Sequence, residues 1–146
     1  MIRCISLLVV SVALNVSAQA MIAATEEECR ATYKGHVSVA NNLEPAAEKV
    51  LIWQNGDDEV LVGFISGKAN YIVYMKKKGA FSEQDITRML KLNSSTSSWT
   101  ALEKPGLRPG WVRADRKVFI TYVERLRAYT VSTKEWMDLL QSRKKG

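Results

Sequence analysis

The sequence predicts an α+β domain with helices packed on one face of an antiparallel sheet, carried behind a secretory leader. Three observations support this. A hydroxyl residue stands three positions before a carboxylate at Thr25–Glu28, Ser82–Asp85 and Ser132–Glu135, the spacing of a capping box or its aspartate variant at a helix start. Between these signals the apolar residues recur at every second position, as half-buried strands require. The chain is 47% hydrophobic and 25% charged, an ordinary globular composition.

The leader comes first. Met1-Ile2-Arg3 gives a short basic start, Ile5 to Val16 an uncharged apolar run, and Ser17-Ala18-Gln19-Ala20 a small-residue close. Ala18 and Ala20 occupy the A-x-A positions of a signal-peptidase site, so cleavage is expected after Ala20; Val16 and Ala18 also fit a cut after Ala18. The apolar run is too short to span a hydrocarbon core that takes about 20 residues; an uncleaved anchor or a buried helix is the alternative. Cys4 precedes the run, so it is not placed as a lipidated cysteine. Cleavage leaves residues 21–146 as one domain with a basic C-terminal tail. Cys29 is then its only cysteine, so no internal disulfide forms even in a compartment that permits one. Stability must come from a core, and a domain of this size buries roughly two-thirds of its unfolded surface. No second apolar segment is long enough to cross a membrane. The mature chain is therefore expected to be soluble and exported, either periplasmic or secreted.

The first helix is expected to start at the Thr25 box and run to about Lys34, with Gly35 as its left-handed stop. Lys49 to Gln54 reads as a strand leading through Asn55-Gly56, a favoured two-residue turn; a helix starting near Pro45-Ala46 and stopped by Gly56 is the alternative. Glu59–Ser66 and Asn70–Lys76 follow as strands joined at Ser66-Gly67-Lys68. A second helix is predicted over Glu83–Lys91, burying Ile86, Met89 and Leu90. Strands are then predicted at Trp111–Ala114, Val118–Glu124 and Arg127–Val131, with a tight joint at Asp115-Arg116. A third helix over Thr133–Ser142 buries Trp136, Leu139 and Leu140. The order is thus helix, three strands, helix, three strands, helix. Phe81, Ser82, Ile86 and Leu90 align with Val131, Ser132, Trp136 and Leu140 at an offset of 50 residues. This alignment suits a duplicated unit, and it equally suits two helices that obey the same capping rules. Residues 92–110 form the longest irregular stretch, Ser/Thr-rich and then Pro/Gly-rich, the kind of loop on which a rigid scaffold carries function.

Most enzyme chemistries lack their residues. There is no glycine-rich phosphate loop, no H-E-x-x-H, no paired C-x-x-C and no G-x-S-x-G elbow. No catalytic set, metal site or cofactor is predicted. His36 is the only histidine; general acid–base work usually recruits histidine, but nothing nearby completes a triad, and a surface or loop position is the simpler reading. Asp57-Asp58-Glu59 offers paired carboxylates for calcium or glycosidase chemistry, yet hairpin tips favour such residues for solvation and turn geometry. Cys29 lies one turn before Tyr33 and reads as a small buried hydrophobe rather than a partner-seeking thiol. Asn93-Ser94-Ser95 matches a glycosylation sequon in a predicted loop.

Charge points to a partner. Residues 21–67 hold three basic and eight acidic side chains, net −5, whereas residues 68–146 hold 17 basic and 7 acidic, net +10. Lys76-Lys77-Lys78, the group Arg113, Arg116 and Lys117, the pair Arg125 and Arg127, and Arg143-Lys144-Lys145 supply most of the excess. Arg125 and Arg127 are two apart, so a strand would project both on one face. Such an asymmetry concentrates anions. Trp99 and Trp111 bracket the long loop and, with arginines, are frequent interface anchors; they would equally plug the ends of the core. Nucleic acid is disfavoured for an exported protein, and the alternation of Tyr71, Tyr74, Tyr122 and Tyr129 places most of them in the sheet rather than free to stack bases.

Several short features resemble a type of small exported bacterial protein of uncharacterised function. These are Glu28-Cys29-Arg30 with Tyr33 and Gly35, Val62-Gly63-Phe64 before Gly67-Lys68, Leu90 with Asn93-Ser94 and Ser98-Trp99, then Trp111, Asp115, Lys117, Tyr122 and Thr133-Lys134-Glu135. Where that pattern has glycines, this sequence has Ser95 in the loop and Arg116 at the turn. The resemblance implies a bacterial envelope location and no activity, cofactor or site.

The expectation is therefore a non-enzymatic binding or accessory protein of the cell envelope. It would engage an anionic component or another protein through Arg113, Arg116, Lys117, Arg125 and Arg127, with Trp99 and Trp111 in the loop. A small hydrolase using Asp57, Asp58 or His36, and a secreted inhibitor or effector of another protein, are the alternatives.

Overall fold

The computed structural model describes residues 21–40, 46–103 and 105–146. The expected leader and both cleavage positions lie outside the described residues, as does Pro45. Among the described residues no helix is long and apolar enough to cross a membrane.

The domain is α+β, as expected, but its strands are more numerous and its helices differently placed. Helix α1 (Glu26–Thr32) starts at the expected box: the Thr25 hydroxyl accepts from the Glu28 N–H, and the Glu28 carboxylate accepts from the Thr25 N–H at 2.7 Å. It ends short of Lys34 because Tyr33 leaves the helix in an extended conformation and turns its ring onto Trp53, 5.4 Å away. Gly35 serves a close approach rather than a helix cap. Its φ is +106°, and a Cβ there would lie 2.1 Å from the Gln54 carbonyl oxygen. The glycine lets β1 (His36–Ala40) swing in beside β2 (Lys49–Asn55). Strand β1 was not foreseen: five residues with polar His36 and Ser38 carry too little apolar periodicity to stand out from a loop.

β2 is a strand, and Asn55 pairs directly with Asp58, so the hairpin loop is Gly56-Asp57 rather than Asn55-Gly56. Strands β3 (Asp58–Ile65) and β4 (Lys68–Lys76) continue the meander, and α2 (Glu83–Asn93) follows with the Ser82/Asp85 box intact. The stretch expected to be irregular instead contains the end of α2 and a further strand, β5 (Trp99–Leu102). Strands β6 (Gly110–Arg113), β7 (Val118–Val123) and β8 (Ala128–Thr133) complete a second meander, and α3 (Lys134–Lys144) closes the chain. Its cap is Thr133, not Ser132: the Thr133 hydroxyl accepts from the Trp136 N–H. The two later helices therefore start 51 residues apart rather than 50, and only the first has a connecting segment before it. The halves share a plan, four strands and a helix, without a constant offset.

All eight strands form one antiparallel sheet in the order β1-β2-β3-β4-β8-β7-β6-β5. Each meander runs inward from an outer edge, and the two join where β4 pairs with β8, Ile72 opposite Val131 and Tyr74 opposite Tyr129. Strand alternation sorts the side chains. Leu51, Trp53, Val62, Ile72, Val131 and Ile120 share the face that packs against α1, α2 and the segment Met21–Ala24. Val50, Leu61, Val73 and Ala128 form a second apolar cluster on the other face. The helices are not all on one face. Trp136 of α3, 1% exposed, stacks at 5.0 Å on Tyr71, which belongs to that second cluster. The physical reason is connection length: α3 follows β8 with no intervening residue, so it cannot cross to the side that α2 reaches through residues 77–82.

Gly35→Ala is expected to destabilise by about 3 kcal/mol, combining positive-φ strain with a backbone clash. Gly56→Ala, with positive φ but open space around it, should cost only about 1 kcal/mol. Urea denaturation of the two variants measures the difference, and equal costs would contradict the packing of Gly35 on Gln54.

Candidate ligand-binding cleft

The residues that organise a polar cluster in the core around Asn93 come from four places. Asn93, the last residue of α2, is fully buried. Its side-chain Oδ1 accepts from the Ile22 N–H at 3.0 Å, and its Nδ2 donates to the Met89 carbonyl at 2.9 Å and to the Tyr74 hydroxyl at 3.1 Å. Tyr74 of β4 in turn meets the Tyr33 hydroxyl at 2.7 Å. Burial pushes Tyr74 up to about 12, against the opposing effect of the bonds from Tyr33 and Asn93. Burial, then the neighbouring Tyr74, raises Tyr33 well above the ordinary phenol range. Both side chains stay neutral phenols at physiological pH.

These two tyrosines line a cleft of about 320 Å³ between α1, α2 and the β2–β4 part of the sheet. Its walls are mainly apolar: Trp53, Val60, Phe81, Met89 and Leu92. Charged groups stand at its rim, three of them joined in ion pairs. Lys76 contacts Asp85 at 3.0 Å and Asp58 at 3.3 Å, tying the first turn of α2 to the β3–β4 hairpin. Burial alone would raise the Asp85 carboxyl, but the Ser82 N–H, Lys76 and the Ser82 hydroxyl together hold it below the usual range. The volume and the few converging polar groups are those of a small-molecule site. Among the described residues no three His, Cys, Asp or Glu side chains gather as metal ligands would.

The residues expected to bind a partner are dispersed. Trp99 sits on β5 with its indole N–H donating to the Leu90 carbonyl at 2.9 Å, and Trp111 lies 5.8 Å from the Tyr129 ring; both pack against the core rather than standing on a loop. Arg113 is largely withdrawn: its fork holds Asp115 at 2.7 Å and donates to the Asn93 carbonyl at 3.1 Å. Arg116 and Lys117 are exposed in the β6–β7 turn. Arg125 lies in a 3-10 turn and Arg127 in a left-handed conformation, φ 51°, so they do not share a strand face. That turn is at the far end of β7, six residues long, so roughly 20 Å of strand separates the two basic groups.

The other candidates resolve individually. Cys29 is buried and pushed up to about 12 by burial and by Glu28 and Glu26, which keeps it an unreactive thiol. His36 is exposed on the edge strand β1 rather than in a loop. Asn93 is not a loop sequon but the buried amide described above, and its three hydrogen bonds leave no room for a glycan. The cleft itself was not foreseen, because Tyr33 and Tyr74 are 41 positions apart and Asn93 a further 19 from Tyr74. Comparison with family models, curated proteins and solved structures finds no match for this chain.

The Arg113 fork, and after it the Lys117 N–H, hold Asp115 below the ordinary aspartate value of 3.8 despite partial burial. Asp85 is depressed as well. A carboxyl whose folded value lies below its unfolded one stabilises the fold above the unfolded value, and that stability disappears as pH falls through the folded value. Stability should thus be constant down to about pH 5 and decline below about pH 4. Asp115→Asn should flatten that decline, measured as the urea midpoint against pH; an unchanged slope would remove the Arg113 pair as its source.

Proposed function

We propose that the chain is an exported, non-enzymatic binding protein that holds a small, largely apolar ligand in the cleft between α1, α2 and β2–β4. The observation that carries the reading is the cleft itself: aromatic and aliphatic walls converging on a neutral phenol pair at the base. Its composition favours holding a molecule over transforming one. The phenols are raised far from the range where general acid–base work proceeds at neutral pH, and the rim carboxylates Asp58 and Asp85 are committed to Lys76. In the hydrolase alternative Asp58 is held in the Lys76 ion pair, and His36 is exposed on the edge strand β1. Export is proposed from the leader sequence.

An anionic partner keeps a narrower footing. Arg116 and Lys117 remain exposed at one end of the sheet beside the first turn of α3, while Arg113 serves the fold and Arg125 and Arg127 lie at the opposite end. Any such contact is a second surface, separate from the cleft.

The test starts from protein exported under its own leader, whose mass should correspond to a chain beginning at Met21. Small aromatic compounds are then screened for thermal stabilisation. A ligand at 100 times its dissociation constant adds about 2.7 kcal/mol, which raises the melting temperature by several degrees in a domain of this size. Val60→Trp, which fills the cleft, should abolish the shift. If no compound stabilises the wild type, or if the filled variant responds equally, the cleft is not the site.

A further inference from the structure

The hydrogen bonds at the base of the cleft leave one proton unspent. The orientation of the Asn93 amide is determined by its neighbours, since its oxygen faces the Ile22 N–H and its nitrogen faces the Met89 carbonyl. Its remaining N–H therefore donates to the Tyr74 hydroxyl. Tyr33 and Tyr74 together own two O–H protons, and the single bond between them uses one. If Tyr74 donates to Tyr33, the Tyr33 proton is left over; if Tyr33 donates, the Tyr74 proton is. Either way, one phenolic O–H at the base of an apolar cleft has no acceptor among the described residues. A ligand that covers this partly buried donor without offering it an acceptor costs free energy that a suitable acceptor recovers.

We propose that the cleft selects an uncharged, ring-sized molecule that places a carbonyl or ether oxygen against this spare phenolic proton. The inference rests on the cleft being the ligand site. The walls set the body of the ligand: Trp53, Phe81 and Met89 give flat and polarisable surface suited to a ring. The base sets its neutrality. At the rim Lys76 is matched by Asp58 and Asp85, while Lys34 and Arg88 are exposed to solvent. A carboxylate at the base would meet only a neutral donor, too little to offset its desolvation. A hydrocarbon without an acceptor would fit the walls but leave the proton orphaned. A protonated amine would meet only neutral phenolic oxygens there, too little to offset its desolvation.

The experiment compares 9-fluorenone with fluorene, which share a ring frame and differ by a carbonyl in place of a methylene. Equilibrium dialysis of the full mature chain gives both affinities. Fluorenone should bind roughly 3- to 10-fold more tightly, the worth of one net hydrogen bond. In the double variant Tyr33→Phe/Tyr74→Phe the preference for fluorenone should vanish and the two should bind alike. Either single variant leaves one hydroxyl in place and should keep part of the preference. Should the double variant fail to fold, the wild type still decides: the carbonyl stretch of bound fluorenone should fall below its position in hydrocarbon solvent. Equal binding of the pair, or an unshifted stretch, overturns the acceptor rule while leaving the cleft as the site. Failure of both compounds to bind overturns the cleft reading as well.

Discussion

One buried amide fastens this domain. Asn93 ends α2 and reaches three other parts of the chain at once: the backbone of Ile22, the Met89 carbonyl one turn back and the Tyr74 hydroxyl on β4. An asparagine with no exposed surface is tolerable only when its donors and acceptor are matched, and here each is. The match depends on the N-terminal segment lying where it does. Met21 donates to the Leu92 carbonyl, Ala23 donates to Ala69, and Ala69 returns a bond to Ala24. Ile22 is consequently among the most buried residues of the domain. The expected cleavage after Ala20 would release a chain whose first residues belong to the core.

The sheet gives that fastening its scale. Two four-stranded meanders meet along β4 and β8, and the aromatic residues concentrate beside this seam. Tyr129, fully buried, touches Phe81 at 5.1 Å, Trp111 at 5.8 Å and Tyr122 at 4.9 Å, linking the entrance to α2, strand β6 and the neighbouring β7. Tyr33, Trp53 and Tyr74 make a comparable group on the first meander. The cleft is the gap left between that second group and α2, which explains why its walls are aromatic and its base polar.

The charge asymmetry has a partly architectural meaning. Lys76 bridges two elements through Asp58 and Asp85, Lys49 and Arg30 share Glu26 between β2 and α1, and Arg113 caps the carbonyl end of α2 while holding Asp115. A cation at a helix C-terminus is favourable in its own right. Other basic residues are solvated: Arg116, Lys117, Arg125 and Arg127 on turns, and Lys144-Lys145 at the C-terminal end of α3.

The local signals were legible because their physics is local. Capping boxes at Thr25 and Ser82 marked two helix starts to the residue, and alternation marked β2, β3, β4, β6, β7 and β8 within a few positions. Short edge strands β1 and β5 escaped, since half of an edge strand faces solvent and carries little pattern. The cap of α3 shifted from Ser132 to Thr133 because β8 keeps Ser132 paired opposite Tyr71 and Phe119. By itself the sequence determined the α+β class, the starts of α1 and α2 and the identity of Cys29 as a buried thiol. Tertiary structure decided the order of the strands, the face each helix covers, the separation of Arg125 and Arg127 from Arg113, and the meeting of Tyr33, Tyr74 and Asn93. Those outcomes depend on which distant segments pair and on how long the connections are, and neither is encoded in the spacing of neighbouring residues.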